Sequence, residues 1–166
     1  MSFNQLIVSI EELNICHEQL IKLGETKKQT IIQNKVNEMI AITNAESKLV
    51  KRIEELELDR QEAVYGVLQQ RGIKSRLNLT MPELIRLIFD QTDKQRLETA
   101  LGQLSDTLTT LKQLNEINQQ LLKQSLSYID FYVETLSYRP ETEVTYQNPA
   151  DKQHNAQSSG LFDTRA

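Results

Sequence analysis

The sequence predicts an all-α protein: an elongated antiparallel hairpin or bundle of long helices with coiled-coil-like packing, one short helix and a disordered C-terminal tail. Apolar residues recur at alternating spacings of three and four over long segments, the pattern of helices that bury one stripe. A composition with 25% charged residues, 5% aromatic residues and no tryptophan suits long helices better than a thick core. Of the three prolines, two come after Tyr138.

The longest periodic segment runs from Leu97 to Leu136 and predicts one long helix. Up to Leu111 its apolar stripe is narrow, as expected for a single neighbouring helix. After Asn118 the stripe widens to an arc of about 160°, made up of Leu121, Leu122, Leu126, Tyr128, Ile129, Tyr132, Val133 and Leu136. Two interpretations fit so wide a face: a helix end flanked by two helices of its own domain, or a docking surface for another protein.

Two further long helices are predicted before this segment, over Phe3–Ile32 and Val36–Gln70. Gly24 interrupts the apolar pattern of the first, but one glycine costs only ~1 kcal/mol against alanine, so the helix should continue across it. In the second helix, Glu46 and Arg60 fall on the apolar seam. The aliphatic parts of both side chains should pack against the neighbouring helix, while the charged groups reach solvent. The alternative is a polar layer that fixes the register of the helices.

A short apolar helix is predicted between the long ones, after a loop over residues 71–78. Thr80 and Glu83 have the spacing of a capping box, in which each side chain satisfies a backbone group of the first turn. This helix should end near Asp90, and residues 92–95 repeat the capping signal for the long helix. A short apolar helix in this position most simply closes one end of the hairpin.

The periodic pattern stops after Tyr138, where proline, serine, asparagine and glutamine become frequent. Such a segment has too few apolar residues to offset the entropy lost on folding. We therefore expect a helical domain over residues 1–138 and a flexible tail over residues 139–166.

Charge and hydropathy limit the compartment and the partners. The net charge of -4 comes from interspersed acids and bases, so no nucleic-acid-binding patch is expected. The N-terminal segment has neither the basic start nor the apolar centre of a signal peptide. No stretch approaches the ~20 apolar residues of a membrane span. We expect a cytoplasmic protein that does not insert into membranes.

The sequence offers no constellation of catalytic or metal-binding residues. No phosphate-binding glycine loop, HExxH or GxSxG motif occurs. Cys16 is the single cysteine, and we expect it to be a small apolar helix residue. The two histidines, His17 and His154, lie far apart, and neither follows the Glu-x-x-His spacing of carboxylate metal bundles. The prediction is a protein without enzymatic activity, cofactor or metal.

Several sequence elements follow one another in a distinctive order. A charged, leucine- and glutamate-rich segment at Ile53–Glu57 ends the second helix, and the short helix begins with Met81–Ile85. The long helix holds an Asn-x-x-Leu-Leu element at Asn118–Leu122, and the tail holds Tyr146. This order, which covers nearly the whole chain, resembles that of the FlgN-type flagellar export chaperones.

The resemblance implies a function. Chaperones of this family bind the C-terminal segments of the hook–filament junction proteins FlgK and FlgL in the cytoplasm, prevent their premature assembly and deliver them to the type III export gate. Their client-binding helix corresponds to this chain's Asn118, Leu121, Leu122, Ser125, Leu126, Ile129, Tyr132, Val133 and Leu136. A tail tyrosine contacts the gate protein FlhA, and Tyr146 corresponds to it, although Gln147 stands where the family usually has glycine.

A second hypothesis is a homo-oligomeric coiled-coil scaffold or adaptor, whose wide face near the end of the long helix packs against a second copy. Interruptions of the apolar pattern at Gly24, at Gln33–Asn37 and at Gly72 favour a chain that folds back on itself over one extended rod. A homodimer in the free state is compatible with both hypotheses.

Overall fold

The computed structural model describes residues 2–73 and 79–138, and within them it confirms the all-α prediction. Four helices follow one another along the chain: α1 over Ser2–Ile32, α2 over Val36–Gln70, α3 over Met81–Leu87 and α4 over Gln91–Ser137. The apolar periodicity predicted the bounds of α2 without error and those of α1 to within one residue.

The chain divides into two compact units, Met1–Ile129 and Asp130–Ala166. The first unit contains α1, α2, α3 and the part of α4 that ends at Ile129. The described part of the second unit is the end of α4 and Tyr138. The predicted tail over residues 139–166 lies outside the described residues, so the domain boundary after residue 138 stays a prediction.

Helices α1 and α2 form an antiparallel hairpin. The turn between them uses Asn34, whose φ of 53° is the left-handed conformation that asparagine tolerates better than most residues. Two ion pairs join the helices along their length. Glu12 pairs with Arg52 at 3.1 Å, and Lys27 pairs with Glu46 at 2.8 Å, close to the turn.

Glu46 and Arg60, the two charged residues on the apolar seam of α2, have different kinds of partner. The side chain of Glu46 is mostly buried and binds the ammonium of Lys27 on α1, so it forms the polar layer between helices that was the alternative interpretation. Arg60 instead donates its Nε–H to Glu57 of its own helix at 2.7 Å. The Lys27–Glu46 pair fixes the register of the hairpin, since sliding either helix by one turn would separate the two charges by about 5.4 Å.

The main core lies at the end of the bundle where α2, α3 and α4 meet the start of α1. Buried side chains from all four helices pack into one cluster, formed by Leu6, Ile7, Ile10, Ala63, Val64, Val67, Leu68, Leu84, Ile88, Leu97 and Ala100. Leu84 of α3 is completely buried in it. Helix α3 therefore closes this end of the bundle, as its apolar pattern predicted. Cys16 is buried in a second, smaller cluster with Leu13 and Leu56, as expected of a small apolar residue.

The first turn of α3 contains the predicted capping box. The backbone N–H and the hydroxyl of Thr80 both donate to the Glu83 carboxylate at 2.8 Å. These hydrogen bonds, the backbone one first, lower the pKa of the Glu83 carboxyl below its ordinary value. The ionised form is therefore favoured by the fold, and this contribution is lost as the pH falls through the lowered pKa.

The predicted start of α4 was wrong by a few residues. Helix α3 ends at Leu87, and α4 already begins at Gln91. The cap is Asp90, whose carboxylate accepts the backbone N–H of Asp93 at 2.9 Å. Aspartate is a strong N-cap, and here it acts before the threonine at position 92 that the sequence pattern had favoured.

Helix α4 runs parallel to α1 in the first unit. Near its start, Arg96 donates to the side-chain oxygen of Asn4 at 3.3 Å. Further along, the Asn118 amide donates to the backbone carbonyl of Gly24 at 2.8 Å, and this contact is buried. The paired residues are 92 positions apart in sequence at the first contact and 94 at the second. The two helices therefore keep nearly the same register along their length.

Gly24 allows α1 and α4 to approach closely. A Cβ atom at this position would lie 2.7 Å from the Leu114 side chain, a distance that real Cβ atoms essentially never show. The glycine that interrupts the apolar pattern of α1 is therefore explained by its packing partner. Gly102 differs, because a Cβ atom there would meet nothing within 4 Å.

Replacing Leu84 by alanine should lower the free energy of unfolding by about 2–5 kcal/mol, because a fully buried leucine loses its contacts and leaves a cavity. Urea denaturation followed by circular dichroism measures this. Leu58→Ala is the matched control, since Leu58 is 63% exposed on α2. Equal, small losses for both variants would contradict the role given to α3.

Replacing Gly24 by valine should destabilise the protein by about 1–3 kcal/mol, because the new side chain displaces Leu114 from its packing against α1. Gly102→Val places the same side chain into open space and should change the unfolding free energy by no more than about 0.5 kcal/mol. Thermal or urea denaturation of both variants compares them. If the two substitutions had equal effects, the close packing of α1 on α4 would be refuted.

Candidate partner-binding face of helix α4

Helix α4 changes character at Asn118. Before this residue it contributes buried leucines and alanine to the packing of the first unit, and Asn118 itself is only 4% exposed. Between residues 119 and 138, all of which the structure describes, no residue is buried. The change occurs where the narrow apolar stripe of the sequence was predicted to widen.

Asn118 faces α1, since its Nδ2 atom donates to the Gly24 carbonyl. Its Oδ1 atom is also buried and has no hydrogen-bond partner among the described residues. The other predicted positions of the first unit are more accessible. Leu121, Leu122 and Ser125 are half-buried, whereas Leu126 is 53% exposed and Ile129 is also exposed.

In the second unit, the three predicted residues are all exposed. They are Tyr132, Val133 and Leu136, and the exposed fraction of Leu136 reaches 67%. The structure thus places every predicted residue of this helix segment on α4, with burial falling along the chain from Asn118 to Leu136.

Three further exposed aromatic residues were not among the predicted site residues: Tyr128, Phe131 and Tyr138. Tyr128 lay within the predicted arc, whereas the other two fall outside it. The local density of aromatic residues reveals all three, whereas a helical arc selects only one face and excludes Phe131 and Tyr138. The apolar character of this segment therefore extends beyond one side of the helix.

Exposed leucine, isoleucine, valine and aromatic side chains in one helical segment are unusual for a monomeric surface. Charges nearby are few and mixed, with Lys123, Asp130 and Glu134 in the segment. Such a surface binds through apolar contact, and its aromatic and aliphatic residues would supply most of the binding energy. Of the two interpretations, the exposure favours a docking surface over a helix end covered by its own domain.

The described residues contain no group of His, Cys, Asp or Glu side chains that could hold a metal ion. No helix among residues 2–73 and 79–138 has the length and apolar character needed to cross a membrane. Tyr146, the predicted contact with the export gate, lies outside the described residues.

Comparison with known proteins identifies the family of the chain. The family model described as FlgN protein matches residues 1–154. A relative from Bacillus subtilis (strain 168), described as uncharacterized protein YvyG, is 28% identical over 139 residues, which cover 82% of this chain and 81% of the relative. No solved structure matches the chain significantly.

The family match extends over most of the chain, including all four helices and the exposed segment of α4. The FlgN family consists of flagellar chaperones, which bind flagellar proteins and are not enzymes. An apolar face without catalytic groups is consistent with that role. The chain is a member of the FlgN family.

Proposed function

We propose that the protein is a cytoplasmic flagellar type III export chaperone for the hook–filament junction proteins FlgK and FlgL. It binds their C-terminal segments, prevents premature assembly and delivers them to the export gate. The observation that supports this most strongly is the exposure of apolar residues on α4 after Asn118, in a chain of the FlgN family.

The proposed mode of recognition is an amphipathic client segment that folds against α4. Coupled folding of this kind commonly buries ~1,000–3,000 Å² and gives up part of the interaction energy to ordering of the segment. The client-binding residues are those of the predicted face, namely Asn118, Leu121, Leu122, Ser125, Leu126, Ile129, Tyr132, Val133 and Leu136. Leu136, Val133 and Leu126 are the most accessible aliphatic members and should be among the principal anchors.

Polar groups of the face would set the register of the client. Ser125 is half-buried, as are Leu121 and Leu122 one turn earlier on the helix, and its hydroxyl both donates and accepts hydrogen bonds. The Asn118 amide donates one of its two N–H groups to α1, and its Oδ1 atom is buried. Of the two, Ser125 is the more accessible to a bound backbone.

Replacing Leu126 by aspartate should abolish binding of the client segments, because a carboxylate would have to be desolvated where an apolar side chain now docks. Isothermal titration of the purified chain with the C-terminal segments of FlgK and FlgL from the same organism measures this. Wild-type protein should bind at least one segment with micromolar or tighter affinity.

Leu58→Asp is the control, because Leu58 on α2 is at least as accessible as Leu126 but lies outside the proposed face. It should bind as the wild type does, and circular dichroism should show unchanged helicity for both variants. Loss of binding in both, or in neither, would contradict the assignment of the site to α4.

Replacing Tyr146 by alanine should weaken binding of the client-loaded chaperone to the cytoplasmic domain of FlhA and leave client binding intact. The reason is that the tail tyrosine is separate in sequence from the client-binding face of α4. Pull-down with purified FlhA domain tests this, with Tyr65→Ala on α2 as the matched control. Unchanged binding of the Tyr146→Ala variant would remove this residue from the proposal.

Without a client, a second copy of the chain is a suitable cover for the same apolar residues. A free homodimer that dissociates when client is added would agree with the chaperone function. A stable larger oligomer that neither client segment disrupts would favour the scaffold hypothesis, and multi-angle light scattering distinguishes the two.

A further inference from the structure

We propose that the client-binding site continues beyond α4 into a groove between α2 and α4, with α1 as its floor, and that this groove receives two uncharged apolar side chains of the client spaced one helical turn apart. This inference rests on the proposed chaperone function and deepens it. It assigns part of client recognition to the α1–α2 hairpin, which the family resemblance did not include.

The groove is a cavity of about 330 Å³ in the first unit. Its apolar walls include Ile31 of α1, Val50 of α2 and Leu122 of α4, and its polar lining includes Lys27, Glu46 and Asn118. Val50 is 45% exposed although it lines the cavity, so the groove is open to solvent at this wall.

The size of the groove indicates how much of a partner it holds. A cavity of ~150 Å³ with apolar walls accommodates one benzene molecule. A volume of about 330 Å³ therefore has room for two large side chains. On a helix, side chains four residues apart lie one above the other on the same face, which makes such a pair the natural occupant.

The charges of the floor indicate that the occupant is uncharged. Lys27 and Glu46 pair at 2.8 Å, and their side chains are only 25% and 19% exposed. The floor is thus neutral and partly shielded from water. A charged side chain entering it would lose hydration without gaining a free counter-charge, whereas an apolar one would not.

The Asn118 side chain is the second polar feature of this lining. Its Oδ1 atom has no hydrogen-bond partner among the described residues, and an unsatisfied buried acceptor is costly. The groove thus combines apolar walls with the side-chain amides of Asn115, Asn118 and Gln119, which suits an amphipathic segment.

The groove is continuous with the face of α4 proposed for client binding. Leu122 belongs to both, and Leu126 follows one turn later on the same side of the helix. A client helix lying along α4 would cover Leu126 with one part of its apolar stripe and place the next two apolar residues over the groove. The occupant is therefore the same client segment, and the proposal requires its apolar stripe to span both surfaces.

The test uses Val50→Asp in the full-length chain. Titration with the FlgK and FlgL C-terminal segments should show a Kd at least roughly tenfold weaker than that of the wild type. Val8→Asp is the control, since it is the same substitution at a similarly exposed valine (51%) on α1, outside this groove. The control should bind within about twofold of the wild type.

The outcomes separate the two proposals. If Val50→Asp binds as the wild type does while Leu126→Asp does not, the groove is refuted and the chaperone function stands. If wild-type protein binds neither segment, both proposals fail. Should Val50→Asp lose helicity, Val50→Ser replaces it, and a Kd unchanged in that folded variant would equally overturn the groove.

Discussion

The hydrogen bond from the Asn118 amide to the Gly24 carbonyl marks the point on which the arrangement of the first unit depends. Here α1 and α4 lie so close that a Cβ atom on Gly24 would collide with Leu114. On one side of this contact, α4 contributes buried residues to the core, and on the other side none of its residues is buried. One glycine and one asparagine thus separate a packing segment from an exposed apolar segment within a single helix.

This separation has an energetic consequence. The core that involves Leu84 and Leu97 stabilises the helices without any contribution from the exposed end of α4. Residues of that end are therefore available for a partner at little cost to the fold. A chaperone that must bind and release its clients needs this independence, because binding energy and folding energy then reside in different residues.

Sequence periodicity predicted much of the fold, since the bounds of α2, the capping box of Thr80 and Glu83, and the closing role of α3 all depend on local patterns. It placed the cap of α4 wrongly because two adjacent capping signals compete there. It left two interpretations for Glu46, since its partner Lys27 lies on another helix and no spacing rule selects it.

The sequence likewise predicted some features of the candidate site and missed others. An apolar arc identified Leu126, Ile129 and Leu136, because spacing on one helix determines which residues share a face. The arc did not reveal that Asn118 would face α1, or that Val50 of α2 would line a groove with Leu122. Both contacts depend on how the helices pack against one another. The periodicity of residues within one helix carries no information about that packing.

Hydrogen–deuterium exchange of the full-length chain, with and without a saturating FlgK or FlgL C-terminal segment, tests whether the exposed end of α4 binds clients. Client binding should slow exchange in α4 after Asn118, while the core amides around Val64 and Leu97 keep their rates. Protection confined to other helices, or none despite measured binding, would show that the exposed end of α4 is not the client-binding surface.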